Sequence, residues 1–412
     1  MKKLLYLAAS AFLAFQITSC GNSSATDDAV YKEIQEKFIN AKPGDVIELP
    51  EGKFNFTRGL TMEGVANVTI KGKGPDKTIL SFANQSEGPQ GLGIKAENCT
   101  LEGFAVEDAK GDAIKIQNSK NLVVRNVRVG WTQGPKITNG AYGLYPVTCD
   151  GVLIENCDVY GASDAGIYVG QSKNVIVRNN KVHENVAGIE IENCTAADVY
   201  ENEAWNNTGG IMVFDMPEVP VKNGKDVFVH NNNVHENNLA NFAPPGNTVA
   251  LVPAGMGMLV MAYNNVELTA NKVINNNTLG ICVASFLTSG KEYNDTLYNP
   301  FTYAVYIHDN EIKRQTCLPD TSRQIGRLLA GVFGNNIPDI IFDGFYDPSV
   351  VDPKTNSVAA ENRICIKNNG SATFANVDGP NNFKNVNTDI KPFDCTLNPI
   401  PLAPNKELAT GK

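Results

Sequence analysis

The sequence repeats a short phrase at a fixed interval. Gly166-Ile167 opens it, Gly188-Ile189 reopens it 22 residues later, and Gly210-Ile211 follows after another 22. Alternating short runs separated by turn residues at such a period mark a β-solenoid, because each unit can bury its apolar face only against the next. Aligning the units on the first inward residue of the first strand gives Ile94, Ile114, Leu144, Ile167, Ile189, Ile211, Met258, Ile281 and Val332. A second column, five residues on, reads Cys99, Ser119, Cys149, Ser172, Cys194, Met216, Tyr263 and Phe286. A third reads Val127, Cys157, Asn180, Asn202, Asn232, Asn271 and Asn310. Asparagines stacked on coils ~4.8 Å apart can hydrogen-bond up the stack as a ladder, and they tolerate the left-handed backbone of a sharp turn. The expected fold is all-β: a single parallel β-helix of about 9–11 coils, three short strands to a coil.

A solenoid needs closed ends. Val30, Ile34 and Phe38 make one apolar helix face within Ala29–Ala41, the expected N-terminal cap. Cys99, Cys149, Cys157 and Cys194 fall inside the repeats and are expected to point inward. Cys317, Cys365 and Cys395 lie in the C-terminal part, and Cys365–Cys395 is the expected bridge.

The first twenty residues, MKKLLYLAASAFLAFQITSC, have a basic start, an apolar stretch and small residues before a cysteine. They resemble a bacterial lipoprotein signal, with Ile17 in place of the usual leucine. That resemblance implies removal of residues 1–19, a lipid on Cys20, export and an outer-membrane anchor facing the periplasm or the outside. The expected organisation is a signal over 1–19, a tether over 20–28, the β-helix with its cap over 29–347, and an irregular segment over 348–412. The formal charge is −9 and no basic run is present, which argues against nucleic acid as a partner.

PGDVIELPEGKF (Pro43–Phe54), VTIKGKGPDKTIL (Val68–Leu80) and the Gly-Ile repeats resemble the right-handed parallel β-helix, or pectin-lyase-like, superfamily. GASDAGIYVGQS, NVAGIEIEN and NNTGGIMVFDMP resemble a subgroup of exported β-helix-repeat lipoproteins with no assigned role. The resemblance implies the fold and leaves the activity open. GHG and adjacent aspartates, which polygalacturonase-like glycosidases carry, are absent from the repeats, as is the DPHD of alginate epimerases. No catalytic residue therefore transfers from those families.

Insertions point to a working face. Long segments precede the first strand between Val127 and Leu144, Asn232 and Met258, and Asn310 and Val332. Others follow it at Met216–Asp226 and Phe286–Ala304. Both sets would wall a groove over the outer face of strand one. Strand alternation sets Lys95, Lys115, Tyr145, Tyr168, Glu190, Met212, Leu259 and Cys282 on its floor, with Glu97, Gln117, Glu192, Phe214 and Met261 two positions further on. One end is polar and the other apolar.

Tyrosine faces and charged groups suit a sugar, and the lysines suit an acidic polysaccharide. For β-elimination, Tyr168 or Lys115 would be the base and Lys95 the cation. For hydrolysis, Asp164 and Glu190 would be the carboxyl pair, and an epimerase is a further possibility. Tyr145 and Glu192 would line the substrate. A second outward stripe, Tyr160, His183, Trp205 and His235, reads as an aromatic sugar platform or as surface packing. Its two histidines are two coils apart, too far to share a metal.

No cofactor is expected. Two other readings stand beside the polysaccharide one: a non-enzymatic envelope scaffold binding a protein partner, and copper(I) held by Met212, Met216, Met256, Met258 and Met261.

Overall fold

Each coil begins where alternation begins. In one coil, strands Ala165–Gly170, Lys173–Arg178 and Lys181–His183 follow one another; the next repeats them as Ala187–Glu192, Thr195–Tyr200 and Glu203–Trp205. The turns between them rest on residues at positive φ, among them Asn179, Glu184, Asn193, Glu201 and Asn206, where asparagine is least strained. This computed structural model describes residues 27–355 and 357–401. Strands one and two of successive coils join one 20-stranded sheet, and the third strands form a 10-stranded sheet, all in parallel register. The chain is a right-handed parallel β-helix. Ile167 pairs with Leu144 on one side and Ile189 on the other, and Ile189 pairs with Ile211.

The interior is filled from all three strands. Ile167, Val169, Val175, Val177 and Val182 are fully buried in one coil alone, and Cys99, Cys149, Cys157 and Cys194 join the same core. The asparagine column forms a continuous ladder. Nδ2 of Asn180, Asn202, Asn232, Asn271 and Asn310 donates to Oδ1 of the next rung at 2.9, 3.0, 2.9, 3.0 and 3.0 Å, ending on Asn369. A second ladder at the next turn, Asn185–Asn207–Asn237–Asn276, has rungs of 3.0, 2.9 and 3.1 Å.

The N-terminal cap is a helix over Asp28–Ile39 with Ile34 and Phe38 buried on the first coil. No helix among the described residues is long and apolar enough to cross a membrane.

The structure corrects several columns. Leu92, not Ile94, pairs with Ile114, because Glu87–Glu102 runs as one continuous strand through the place where later coils turn. Ile94 faces Ile116, and Cys99 lies in strand two opposite Leu122. In the second column, the coil of Met216 is represented by Gly224, since Lys225 pairs with Thr195 and Asn264. Phe286 likewise gives way to Thr302, beside Tyr263. Val332 lies in a helix, Gln324–Phe333, and Ile340 takes the strand-one position beside Ile281.

The segment from 348, expected to be irregular, adds two parallel strands to the large sheet: Ile364–Lys367 and Phe374–Asn376. Cys365 and Cys395 form the expected disulfide, tying the last coil to the chain that closes it.

Candidate active site

Strand one presents three outward positions per coil, and their columns build the floor of a groove. The first reads Asp112, Tyr142, Ala165, Ala187, Gly209. The second reads Lys115, Tyr145, Tyr168, Glu190, Met212, Leu259. The third reads Gln117, Val147, Gly170, Glu192, Phe214, Met261. Small residues in the first column leave a hollow where the acids of the other two can face each other.

That hollow is a cavity of about 360 Å³ lined by Tyr142, Asp164, Glu190 and Glu192 on its polar side and by Met212, Phe214 and Met261 on its apolar side. Its banks are the two inserted loops: Met216, Pro217 and Val219 on one, Gly246–Val249 and Val252 on the other.

Asp164 and Glu190 are almost fully buried. Burial, reinforced by the charge on Glu192, pushes the Asp164 carboxyl up to about 7, while hydrogen bonds from Tyr142 and Asn247 oppose the rise. Burial raises Glu192 to about 7 against the hydrogen bond from Tyr168. Glu190 is held well above the usual carboxylate range by burial and by the charges of Asp164 and Glu192. Three carboxyls in one poorly solvated space cannot all ionise near neutrality, so they share protons.

The tyrosines hold the carboxyls in place. Tyr142, Tyr145 and Tyr168 form a mutual cluster with ring centroids 4.6, 4.6 and 4.9 Å apart. Tyr168 lies across Gly170 to reach Glu192. A Cβ at Gly170 would meet the Tyr168 hydroxyl at 2.4 Å, so glycine is required there. Asn247 Nδ2 reaches Asp164 Oδ2 at 3.4 Å from the facing loop.

The sequence-derived residues separate into three groups. Asp164, Glu190 and Glu192 converge on the cavity. Tyr145 and Tyr168 support it. Tyr168 does not suit the role of base, because burial and the surrounding carboxyls hold its phenol strongly protonated. Lys115 lies outside the cavity, 4.7 Å over the Tyr145 ring and 3.8 Å from Asp112, so it does not suit that role either. Lys95 stands beside Gln117, two positions from where the column alignment put it, and lines a separate hollow of about 260 Å³ with Lys115, Glu63 and Gln90.

Trp205 is on strand three, away from the groove. His183 and His235 stack on either side of it at 4.5 and 6.2 Å, nearly parallel, so its faces are covered and it offers no sugar platform. Cys20 lies outside the described residues.

Four of the five methionines, Met212, Met216, Met256 and Met261, share the outer face, and Met258 does not. Met258 belongs to the coil interior, whereas Met212, Met256 and Met261 pack with Phe214, Val249, Val252 and Phe286 under the loops. Those loops do cover an apolar surface over the later coils. Among the described residues, no group of three or more His, Cys, Asp or Glu side chains is arranged to hold a metal.

Sequence reasoning missed Tyr142 and Asn247. Tyr142 lies two residues before inward Leu144, so alternation alone turns it inward; the alternation breaks at Gly143, where a Cβ would meet Val159 of the interior, and Tyr142 faces the groove. Asn247 is on a loop and carries no periodic signal.

Residues 131–286 match the family model described as right handed beta helix region. No curated protein sequence matches the chain. Among solved structures, it is similar to the mannuronan C-5 epimerase AlgE4 A-module of Azotobacter vinelandii, at 13% identity and a TM-score of 0.49 over 77% of this chain and 90% of that one. It is also similar to the alginate lyase from Paenibacillus sp. str. FPU-7, at 15% identity and a TM-score of 0.40 over 68% and 97%. The exopolygalacturonase from Thermotoga maritima matches at 11% identity and a TM-score of 0.41 over 69% and 75%. The parallel register of the stacked coils and the match over residues 131–286 show the fold, a right-handed parallel β-helix.

Proposed function

We propose that this protein binds and hydrolyses a polysaccharide in the strand-one groove, with Asp164, Glu190 and Glu192 supplying the acid and the base. The observation that carries this reading is the convergence of the three carboxyls, on adjacent coils, on one walled cavity. Breaking a glycosidic bond calls for one protonated carboxyl to protonate the leaving oxygen. It also calls for a second, ionised one to attack the anomeric carbon or activate water. A cluster that retains a proton near neutrality meets both needs at once. The hydrogen bonds from Tyr142 to Asp164 and from Tyr168 to Glu192 fix the orientation of two of the three.

Hydrolysis is favoured over elimination by the same lining. Elimination next to a uronate carboxylate requires a cation on that carboxylate. Among the described residues lining the cavity there is no lysine or arginine. Three acids would repel a uronate placed there.

The proposal includes export and lipid anchoring on Cys20, which the basic start, the apolar stretch and the small residues before that cysteine support.

The test is a glycan-array screen of the purified chain, followed by mass spectrometry of products from every hit. Shortened, saturated products support hydrolysis. Unsaturated products would replace it by elimination. Silence across neutral and acidic glycans, with capture of an envelope protein instead, would replace the enzyme by the scaffold reading.

A further inference from the structure

The groove over strand one is open at one end only. On the later coils its floor is covered: Met261, Cys282, Ala284 and Ile341 are at most 8% exposed. Val249 and Val252 from the loop before Met256, Phe286 and Tyr298 from the loop after strand one, and Leu329 of the helix Gln324–Phe333 pack on that face. On the earlier coils nothing comparable among the described residues covers it. Lys95 is exposed, Lys115 and Gln117 are half-exposed, and the second hollow around them lies on the same face as the carboxyl cavity. Between the two hollows stands Tyr145, with Lys115 over its ring.

We infer that the groove receives the end of a linear polysaccharide. Its terminal unit sits among Asp164, Glu190 and Glu192, and the rest of the chain runs outward over Tyr145 toward Lys115 and Lys95. This rests on the polysaccharide reading above and adds to it a mode of attack and a charge pattern. A chain passing through the cavity would have to continue beyond Met261 over Cys282 and Ala284, which are buried and pack with Phe286, Tyr298 and Leu329. A terminal unit can enter from the open side without moving them. Cavity size is consistent with this, being at the small end of ligand sites.

Charge separates the two hollows. The cavity carries three carboxyls and accepts an uncharged unit. The outer hollow carries two lysines against Glu63 and accepts units bearing an anionic group. Both lysines reach the solvent, so their contribution is an on-rate and affinity effect that salt screens.

The experiment follows product lengths over time on the full chain with laminarin, polygalacturonate and rhamnogalacturonan as probes. Expected is steady release of a mono- or disaccharide from laminarin or rhamnogalacturonan while the remaining polymer keeps its length distribution until late in the reaction, and none from polygalacturonate, whose every unit is anionic; release from polygalacturonate would overturn the uncharged terminal site. An early ladder of intermediate lengths would overturn end recognition and leave hydrolysis standing. Cleavage of none of the three, together with silence in the glycan screen, would overturn the hydrolytic reading, and this inference with it.

A second arm compares K95A and K115A with the parent chain on rhamnogalacturonan, which carries both neutral and anionic units. KM should rise several-fold at low salt and return toward the parent value as salt is raised, with a smaller and salt-insensitive change on laminarin. An unchanged KM in both variants would overturn the assignment of the outer hollow.

Discussion

Tyr263 shows how far one side chain can substitute for a rung of the stack. Its hydroxyl crosses the coil above it, donating to the Cys194 carbonyl and accepting from the Cys194 N–H at 2.8 Å. The intervening coil makes room with Gly224, where a Cβ would meet the Tyr263 hydroxyl at 2.3 Å and the Cys194 carbonyl at 2.6 Å. Gly224→Ala should therefore cost about 1–3 kcal/mol, read from the denaturant midpoint. Combined with Tyr263→Ser, it should cost less than the sum of the two changes, because the second removes the group the first strikes. An additive pair would contradict the contact.

Asp215 is a second such residue. It is fully buried, one oxygen accepts from the Gly224 N–H at 2.7 Å, and the other has no hydrogen-bond partner among the described residues. Burial pushes its carboxyl up to about 7. The folded state then holds a proton that the unfolded state releases near the ordinary aspartate value of ~4. Stability from this group is thus present below ~4 and is lost as pH rises toward 7. Asp215→Asn removes that loss. Its stability should match the parent at pH 4 and exceed it at pH 8 by an amount on the order of a few kcal/mol, read as a higher melting temperature at pH 8 only. No difference at pH 8 would mean that the carboxylate is better solvated than its surroundings indicate.

Neither residue's role was legible in the sequence. Spacing put Met216 where Gly224 stands, because an insertion shows its length but not the point at which the chain returns to the column.

At the scale of elements, the ladders and the loops divide the work of stability and recognition. An asparagine within the ladder donates three times, through its backbone N–H and both Nδ2 hydrogens, and accepts from the rung before it. Asn202 gives its backbone N–H and one Nδ2 hydrogen to Asn232 Oδ1, and the other Nδ2 hydrogen to Val177 O. Asn232→Ala would orphan two buried donors on Asn202, at a cost of about 2–6 kcal/mol. Calorimetry should show that loss, whereas the same change at the exposed Asn121, at the end of the short surface ladder with Asn98, should cost only about 1 kcal/mol, the strain of alanine at its left-handed backbone.

The first ladder was legible because its rungs recur at one offset from the strand-one column. The second lies five residues further on, at Asn185, Asn207, Asn237 and Asn276, and the same alignment contained it unread. The Gln324–Phe333 helix was not legible as a cap over strand one. Its Val332 resembles an inward residue at nearly the expected interval, yet it is 37% exposed, and Ile340 takes the place in the sheet.

For the whole molecule, the period fixed what kind of fold is possible, and the uneven spacing between columns pointed to the strand-one face. What the period could not convey is that the loops close the apolar half of that face and leave the polar half open. Closure depends on which side chains of irregular loops meet the strand surface, and loops carry no repeat. The acids became a site for the same reason. Glu190 and Glu192 read as outward residues and Asp164 as the entry edge of the neighbouring strand, but the loops Gly246–Val252 and Met216–Val219 wall them into one cavity.

The most direct test of that central claim is the rate of sugar release by Asp164→Asn and Glu190→Gln, measured beside their melting temperatures across pH. Each variant should lose about 10²–10⁴-fold in kcat while melting at or above the parent temperature at pH 8, since each removes a buried charge. Parent activity should fall as pH rises well above 7 and the shared proton leaves. Variants that keep activity within a few-fold of the parent would contradict the account, as would a parent rate indifferent to pH between 6 and 9.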